Sequence, residues 1–329
     1  MPALLLRLTP IFHLTRITMG FAAVANVWFV ILWTRVVPVE RDMSPPAHVH
    51  ASHWPLWIVL AGGAAYALGL FAFATALNDT LDVRRDRALN PSRPIPSGRL
   101  SVETAAWLIA LTLLTAMLGS VLLGLGAVLM ALLTAATVLF YNAVARYVPS
   151  FGLVALGLIY GAHMMTPNPY LSFVWPVLLV MAHSLLVGAV THRLARKRPA
   201  LTWRVLLVAC AGGLFWSGVL LYVGFMRSGA WWPDWVPLYA AVAPLLLALG
   251  FVAYAWHKAR LTPDRVRAAD KVRRYGAVWV SLYAVAWMLG AGHLRSGAIL
   301  GALTLVGLIG ITLLREVYGL IEHPVGYRR

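Results

Sequence analysis

The 329 residues are 61% hydrophobic and only 12% charged, with mean hydropathy +0.78 and a formal net charge of +16. Water-soluble domains carry roughly 25% charged residues, so the composition excludes a soluble globular protein and indicates an integral membrane one. Cys210 is the only cysteine, which excludes intrachain disulfides and cysteine-based zinc sites. The positive charge calls for no nucleic acid, because anionic lipid head groups and membrane topology account for it.

A membrane helix needs about 20 mainly apolar residues. On that length the chain predicts an all-α bundle of about nine to ten transmembrane helices. The spans are 17–37, 54–78, 103–121, 124–143, 151–166, 171–192, 204–226, 235–257, 275–291 and 297–317, with a tight turn near Gly124. The first apolar run is too long for a signal-peptide core and lacks a small-residue cleavage site, so a retained helix is expected. With the N-terminus inside, alternation leaves only Arg35, Arg41, Arg227 and Arg295 outside, four of the 27 Lys and Arg residues. That asymmetry follows the positive-inside rule and puts both termini in the cytoplasm of a multi-pass plasma or inner membrane protein. One domain, 1–329, is expected, with no internal repeat.

In the first span Asn26 lies mid-membrane, where polar groups normally face the bundle interior or a cavity. The second span ends in Asn78-Asp79-Thr80-Leu81-Asp82-Val83-Arg84-Arg85-Asp86. Read as helix, Asp79, Asp82 and Asp86 share one face at i, i+3, i+7. Three acids at a membrane edge repel one another unless a cation sits among them. Clustered carboxylates with a neighbouring amide oxygen suit Mg²⁺, which keeps several waters and shares its shell with phosphate. The spacing therefore predicts Asn78, Asp79, Asp82 and Asp86 as ligands of one Mg²⁺. The simpler alternative is that the acids pair with Arg84, Arg85 and Arg87 on a wet surface.

Next comes Asn90-Pro91-Ser92-Arg93-Pro94-Ile95-Pro96-Ser97-Gly98. Its prolines and glycine stop the helix and predict a stiff loop. An Arg93 held between prolines is aimed rather than mobile, which suits a diphosphate beside a metal. Ser101 is the expected N-cap of the following helix, with Glu103 in its first turn.

Residues 78–98 resemble the first signature of the UbiA superfamily of intramembrane prenyltransferases. The order of features along 16–290 is similar too. Tyr141-Asn142 with Arg146 resembles that family's Tyr-Ser pair and its basic residue, and Arg16 sits where the family often has a basic group. The resemblance implies a helical bundle around a cavity open to lipid, with a core over 16–291 and an additional C-terminal helix, 297–317. It also implies a Mg²⁺-dependent transfer of an isoprenyl group from an allylic diphosphate to an aromatic or lipid-like acceptor. Asp79, Asp82, Asp86 and Tyr141 would be the catalytic groups. Tyr141 would stabilise a carbocation through its ring face.

The family's second acidic motif is missing, for the chain has no Asp or Glu between Glu103 and Asp234. Its place is basic, with His192, Arg193, Arg196 and Lys197. His192/Arg196 and Arg193/Lys197 are i, i+4 pairs. Either these cations hold the diphosphate where a second metal would, or they form an ordinary positive-inside loop. The loss also opens a rival reading: a catalytically impaired relative that binds or moves a prenyl lipid or serves as a membrane partner.

The remaining polar residues are less specific. His163, Thr166 and His183 read first as interhelical hydrogen-bonding groups. Trp231, Trp232 and Trp235 read as interfacial belt residues. The segment from His257 to Arg274 is basic, with Asp264 and Asp270, and either covers the cavity mouth or meets lipid head groups.

Overall fold

The computed structural model describes residues 2–37 and 49–322. Arg41, Arg328, Arg329 and most of the 38–53 connection lie outside the described residues. Among those described there is no β-strand. The helices are α1 (Pro2–Thr15), α2 (Gly20–Val36), α3 (His50–His53), α4 (Leu56–Leu81), α5 (Val83–Leu89), α6 (Val102–Val121) and α7 (Leu125–Ala143). They continue with α8 (Pro149–Met165), α9 (Trp175–Leu194), α10 (Trp203–Ser228), α11 (Val242–Leu261), α12 (Arg265–Gly290) and α13 (Leu294–Glu322).

Among the described residues, seven helices are long and apolar enough to cross a membrane, or eight if α1 and α2, bent by 49°, form one span. All ten expected spans appear as helices, but two differ in kind. α8 is a shorter apolar helix of 17 residues. The expected span 275–291 is the second half of α12, whose first half carries the basic stretch. The helix α1 was not foreseen. Arg16 takes a left-handed backbone (φ 47°), a conformation costly for a non-glycine residue, and this breaks α1 from α2.

Six helices close a ring: α2 packs on α4, α4 on α7, α7 on α8, α8 on α9, α9 on α12 and α12 on α2. The others pack outside it, α6 on α4, α10 on α8 and α9, α11 on α12, and α13 on α12 and α2. The α4–α6 pair is especially close, because a Cβ at Gly119 would lie 2.4 Å from the Tyr66 backbone nitrogen. Small residues allow this approach where no hydrophobic force drives helices together in lipid.

One end of the ring is plugged by aromatic rings. Trp33 stacks on Phe173 at 5.2 Å and approaches Trp235 at 5.8 Å, and Phe173 meets Trp287 edge-on at 5.5 Å. Trp232 and Trp235, expected in an interfacial belt, pack instead against this core; Trp231 is exposed. The other end carries the acidic segment 78–86 and its arginine partners.

Candidate active site at the charged end of the ring

Each acid of the 78–86 segment is engaged by arginine. Asp79 Oδ1 accepts from Arg16 Nη2 at 2.9 Å and from Arg93 Nη1 at 3.2 Å. Arg93 Nη1 also reaches Asp86 Oδ2 at 2.5 Å. Asp82 takes two hydrogen bonds from Arg146, at 2.8 and 3.0 Å, and Arg146 Nη1 also donates to Asn78 Oδ1 at 3.0 Å. Asn78 Nδ2 donates to Asp79 at 3.1 Å, and Asn90 Nδ2 to Asp86 at 3.0 Å. These contacts make one network, in which Asp79 and Asp86 are buried. It differs from the surface pairing with Arg84, Arg85 and Arg87 that the sequence left open.

Local structure explains the aim of each partner. The Asn90–Ser101 loop is held by Leu100 N to Pro94 O at 3.0 Å and by Ser97 N to Arg93 O at 3.0 Å. Its Ile95 is buried among Leu14, Ala76, Val83, Leu100 and Ala105, which fastens the Arg93 turn to α1, α4, α5 and α6. Ser101 caps α6, accepting from Thr104 N at 3.0 Å. The left-handed turn at Arg16 carries its side chain to Asp79. Arg146 follows α7 in a short 3-10 turn, Ala145–Tyr147.

The three carboxylates of the expected metal site are drawn to different arginines. Among the described residues, no three His, Cys, Asp or Glu side chains come together closely enough to hold a metal. Asp79 and Asp86 lie two turns apart and share one cationic nitrogen. Asp82 caps α4 and turns to Arg146. A pair of carboxylates still fits Mg²⁺, which is usually bound by one or two carboxylates and completes its shell with water and phosphate oxygen. Arg93 Nη1 occupies the position between those two oxygens that a cation would take.

The basic segment behaves differently from its expected i, i+4 pairing. α9 ends at Leu194, and Arg196 is left-handed (φ 47°), with Lys197 N closing back onto His192 O at 3.1 Å. This ending destroys the helical register on which the pairs depended. His192 Nε2 contacts Pro199 O at 2.8 Å, while Arg193 and Arg196 are exposed. Lys197 lies in the electrostatic neighbourhood of Asp82 and Arg93. Its side chain is accessible at the surface, and the protein packed around it partly desolvates its ammonium. That desolvation, then Arg273 and Arg85, pushes its ammonium below the ordinary value, while Asp82 opposes the shift.

Sequence reasoning missed Arg273 as a site residue. It stands one turn before Gly276, where α12 meets Val187 and His183 of α9, and it lies near Arg16, Arg93 and Asp79. It is paired with Asp270. The signal was its place in the basic stretch before the α12 span, but that stretch holds several equivalent cations. Tyr141 lies near Arg146 and Asp82 at the same mouth.

Deeper polar groups are separate from the charged end. Asn26 is buried, and its Nδ2 has no partner among the described residues. His163 stacks on Tyr66 at 5.2 Å, and Tyr66 Oη bonds Thr166 Oγ1 at 2.8 Å. His183 is fully used between helices, with Nε2 2.9 Å from Gly276 O and Nδ1 3.0 Å from Tyr283 Oη.

The fold thus combines a helical ring, a hydrogen-bonded acid–arginine network at one end and a cluster of aromatic rings at the other. The model of the UbiA prenyltransferase family matches residues 43–269, and the chain belongs to that family. It is 31% identical over 175 residues to the digeranylgeranylglyceryl phosphate synthase of Metallosphaera sedula, a match covering 47% of this chain and 62% of that one. A second such synthase, from Sulfurisphaera tokodaii, is 32% identical over 97 residues, covering 29% of this chain and 34% of its own length. The matched regions thus span less than two thirds of these relatives. A solved digeranylgeranylglyceryl phosphate synthase superposes with TM-score 0.54 at 16% identity, covering 87% of this chain and 98% of that one. A UbiA homologue from Archaeoglobus fulgidus superposes with TM-score 0.51 at 13% identity, covering 85% and 99%. At these identities the superpositions establish the shared fold.

Proposed function

We propose that this chain transfers an isoprenyl group from an allylic prenyl diphosphate to a lipid-like acceptor. The observation that carries the reading is Arg93 held between Asp79 and Asp86 at the mouth of an apolar ring. Asp79 and Asp86 would hold Mg²⁺, with Asn78 orienting Asp79. When bound, that ion supplies positive charge to the leaving diphosphate. Arg93, Lys197 and Arg273 face the same space and take the remaining phosphate charge. Arg146 keeps Asp82 and Asn78 in place.

Cleavage of the allylic C–O bond leaves diphosphate and a carbocation, which the acceptor's nucleophilic atom then attacks with loss of its proton. The apolar ring and its aromatic plug keep water from the cation. Tyr141, near Arg146 and Asp82, would stabilise that cation through its ring face. The synthase relatives are named for a glyceryl phosphate lipid, which favours a lipid-like acceptor over an aromatic one. We place the charged mouth on the cytoplasmic side, following the concentration of Lys and Arg at that end.

The test is diphosphate release by purified full-length protein given allylic diphosphates of several chain lengths, with Mg²⁺ or a chelator, and with a glycerol-phosphate lipid or an aromatic phenol as acceptor. Mg²⁺-dependent release with the glycerol-phosphate lipid is expected. Tight binding of an allylic diphosphate without release under any condition would instead establish the non-catalytic lipid-binding alternative.

A further inference from the structure

A second concentration of positive charge lies outside the ring, between α11 and α12. It is a cavity of about 500 Å³ lined by Tyr254, Lys258, Arg267, Asp270, Lys271, Arg274 and Tyr275. Asp270 is committed to Arg273, and Arg267 to Asp264 at 3.3 Å. Lys258, Lys271 and Arg274 pair with no carboxylate among the described residues. The Lys258 ammonium sits over the Tyr254 ring at 5.5 Å, and the Tyr254 hydroxyl is buried without a hydrogen-bond partner. This is a cationic cavity with aromatic walls and an unused buried polar atom.

The same two helices carry an apolar groove of about 470 Å³, lined by Leu246, Leu247, Leu282, Val285, Ala286 and Leu289. Leu247 and Tyr254 are seven residues apart on α11, and Tyr275 and Leu282 are seven apart on α12. Two helical turns rise about 10 Å and return nearly to the same face. The groove and the cationic cavity therefore lie on one seam. Trp279 joins them, donating from Nε1 to Leu247 O at 2.7 Å and stacking on Tyr254 at 5.7 Å.

We propose that this α11–α12 seam binds an anionic phospholipid, its phosphate among Lys258, Lys271 and Arg274 and an acyl chain along the Leu247–Leu282 groove. A free phosphate would need the cationic cavity alone. An uncharged lipid would need the groove alone. The two in line fit a molecule with both parts, and basic pockets between membrane helices at the head-group level are suited to such lipids. The site is separate from the prenyl diphosphate mouth and does not depend on the transferase reading.

The experiment is native mass spectrometry of the full chain in detergent, with phosphatidylglycerol or phosphatidylcholine of identical acyl chains, in the presence or absence of inorganic phosphate. Wild type is expected to retain phosphatidylglycerol about tenfold better than phosphatidylcholine, and Lys258→Gln/Arg274→Gln to lose that preference. Arg198→Gln/Arg204→Gln, with the same charge removed elsewhere, is expected to keep it. Leu246→Trp, which fills the groove and leaves every charge, should also weaken phosphatidylglycerol, and it supplies the reading if the double variant does not fold. Equal loss in the Arg198/Arg204 control, or undiminished preference in both seam variants, overturns the proposal. Displacement of the lipid by millimolar inorganic phosphate assigns the cavity to a soluble anion and overturns it as well.

Discussion

Asp79 and Asp86, seven residues apart, close on the same guanidinium nitrogen, Arg93 Nη1, at 3.2 and 2.5 Å. A metal between those carboxylates must displace that nitrogen, so Arg93 is both a competitor of the metal and a partner of the phosphate it leaves to meet. Arg93→Gln is therefore expected to bind Mg²⁺ more tightly in the absence of diphosphate. Its diphosphate affinity should fall about tenfold or more, since charge-assisted hydrogen bonds contribute about 1.5–3 kcal/mol. Calorimetric titration of the two ligands separately measures both signs; a parallel fall in both would show that Arg93 only holds the loop.

The two-acid arrangement separates the roles of the carboxylates. Asp86→Asn should weaken Mg²⁺ binding about tenfold or more, a loss of about 1.4 kcal/mol at the least. Asp82→Asn should leave Mg²⁺ affinity within a few-fold and release Arg146 instead, seen as faster proteolysis around 144–148. Equal loss of Mg²⁺ in both variants would restore the three-acid site that the i, i+3, i+7 spacing predicts.

Across the mouth, Arg273→Gln and Lys197→Gln should each reduce binding of a non-hydrolysable prenyl diphosphate about tenfold. Arg193→Gln and Arg196→Gln should leave it unchanged, because both side chains are exposed and make no hydrogen bond or ion pair with the acidic segment among the described residues. Retained affinity in both the Arg273 and Lys197 variants would reduce the basic segment to a topology signal.

Lys197 also gives the site a pH dependence. Desolvation and neighbouring guanidinium groups hold its pKa below the ordinary 10.5, and an anion stabilises the protonated form. Diphosphate binding should therefore be strongest below the Lys197 pKa and weaken as pH rises through it, before pH 10.5 is reached. Lys197→Arg should flatten this fall. An unchanged profile in that variant would assign the titration to another group.

The α4–α6 contact predicts a stability effect distant from the charges. Gly119→Ala puts a methyl 2.4 Å from the Tyr66 backbone nitrogen, whereas a Cβ at Gly218 meets nothing within 4 Å. Gly119→Ala should lower the thermal midpoint by several degrees, as overpacking costs about 1–3 kcal/mol. Gly218→Ala should not lower it. The difference is read by thermal unfolding in detergent.

Much of this protein was legible in one dimension. Apolar runs mark every span, because a helix in lipid must be long and oily wherever it packs. The 78–98 segment announces its chemistry because acids and a proline-fixed arginine are rare at a membrane edge. Which groups meet was not legible. Arg16 and Arg146 stand out only through their likeness to a known family, Lys197 is one of four candidate cations in its segment, and Arg273 is one of several in the stretch before the α12 span. Only the packing of the helices shows that these four come together at the acidic segment. The inward turn of Trp235 and the loss of the His192/Arg196 register likewise follow from packing and a local left-handed turn, neither of which a periodic pattern records. Sequence determined the membrane fold and the acidic segment, since both rest on local composition. The tertiary structure decided which charges face one another, since charge pairing depends on distances of a few ångströms between residues far apart in the chain.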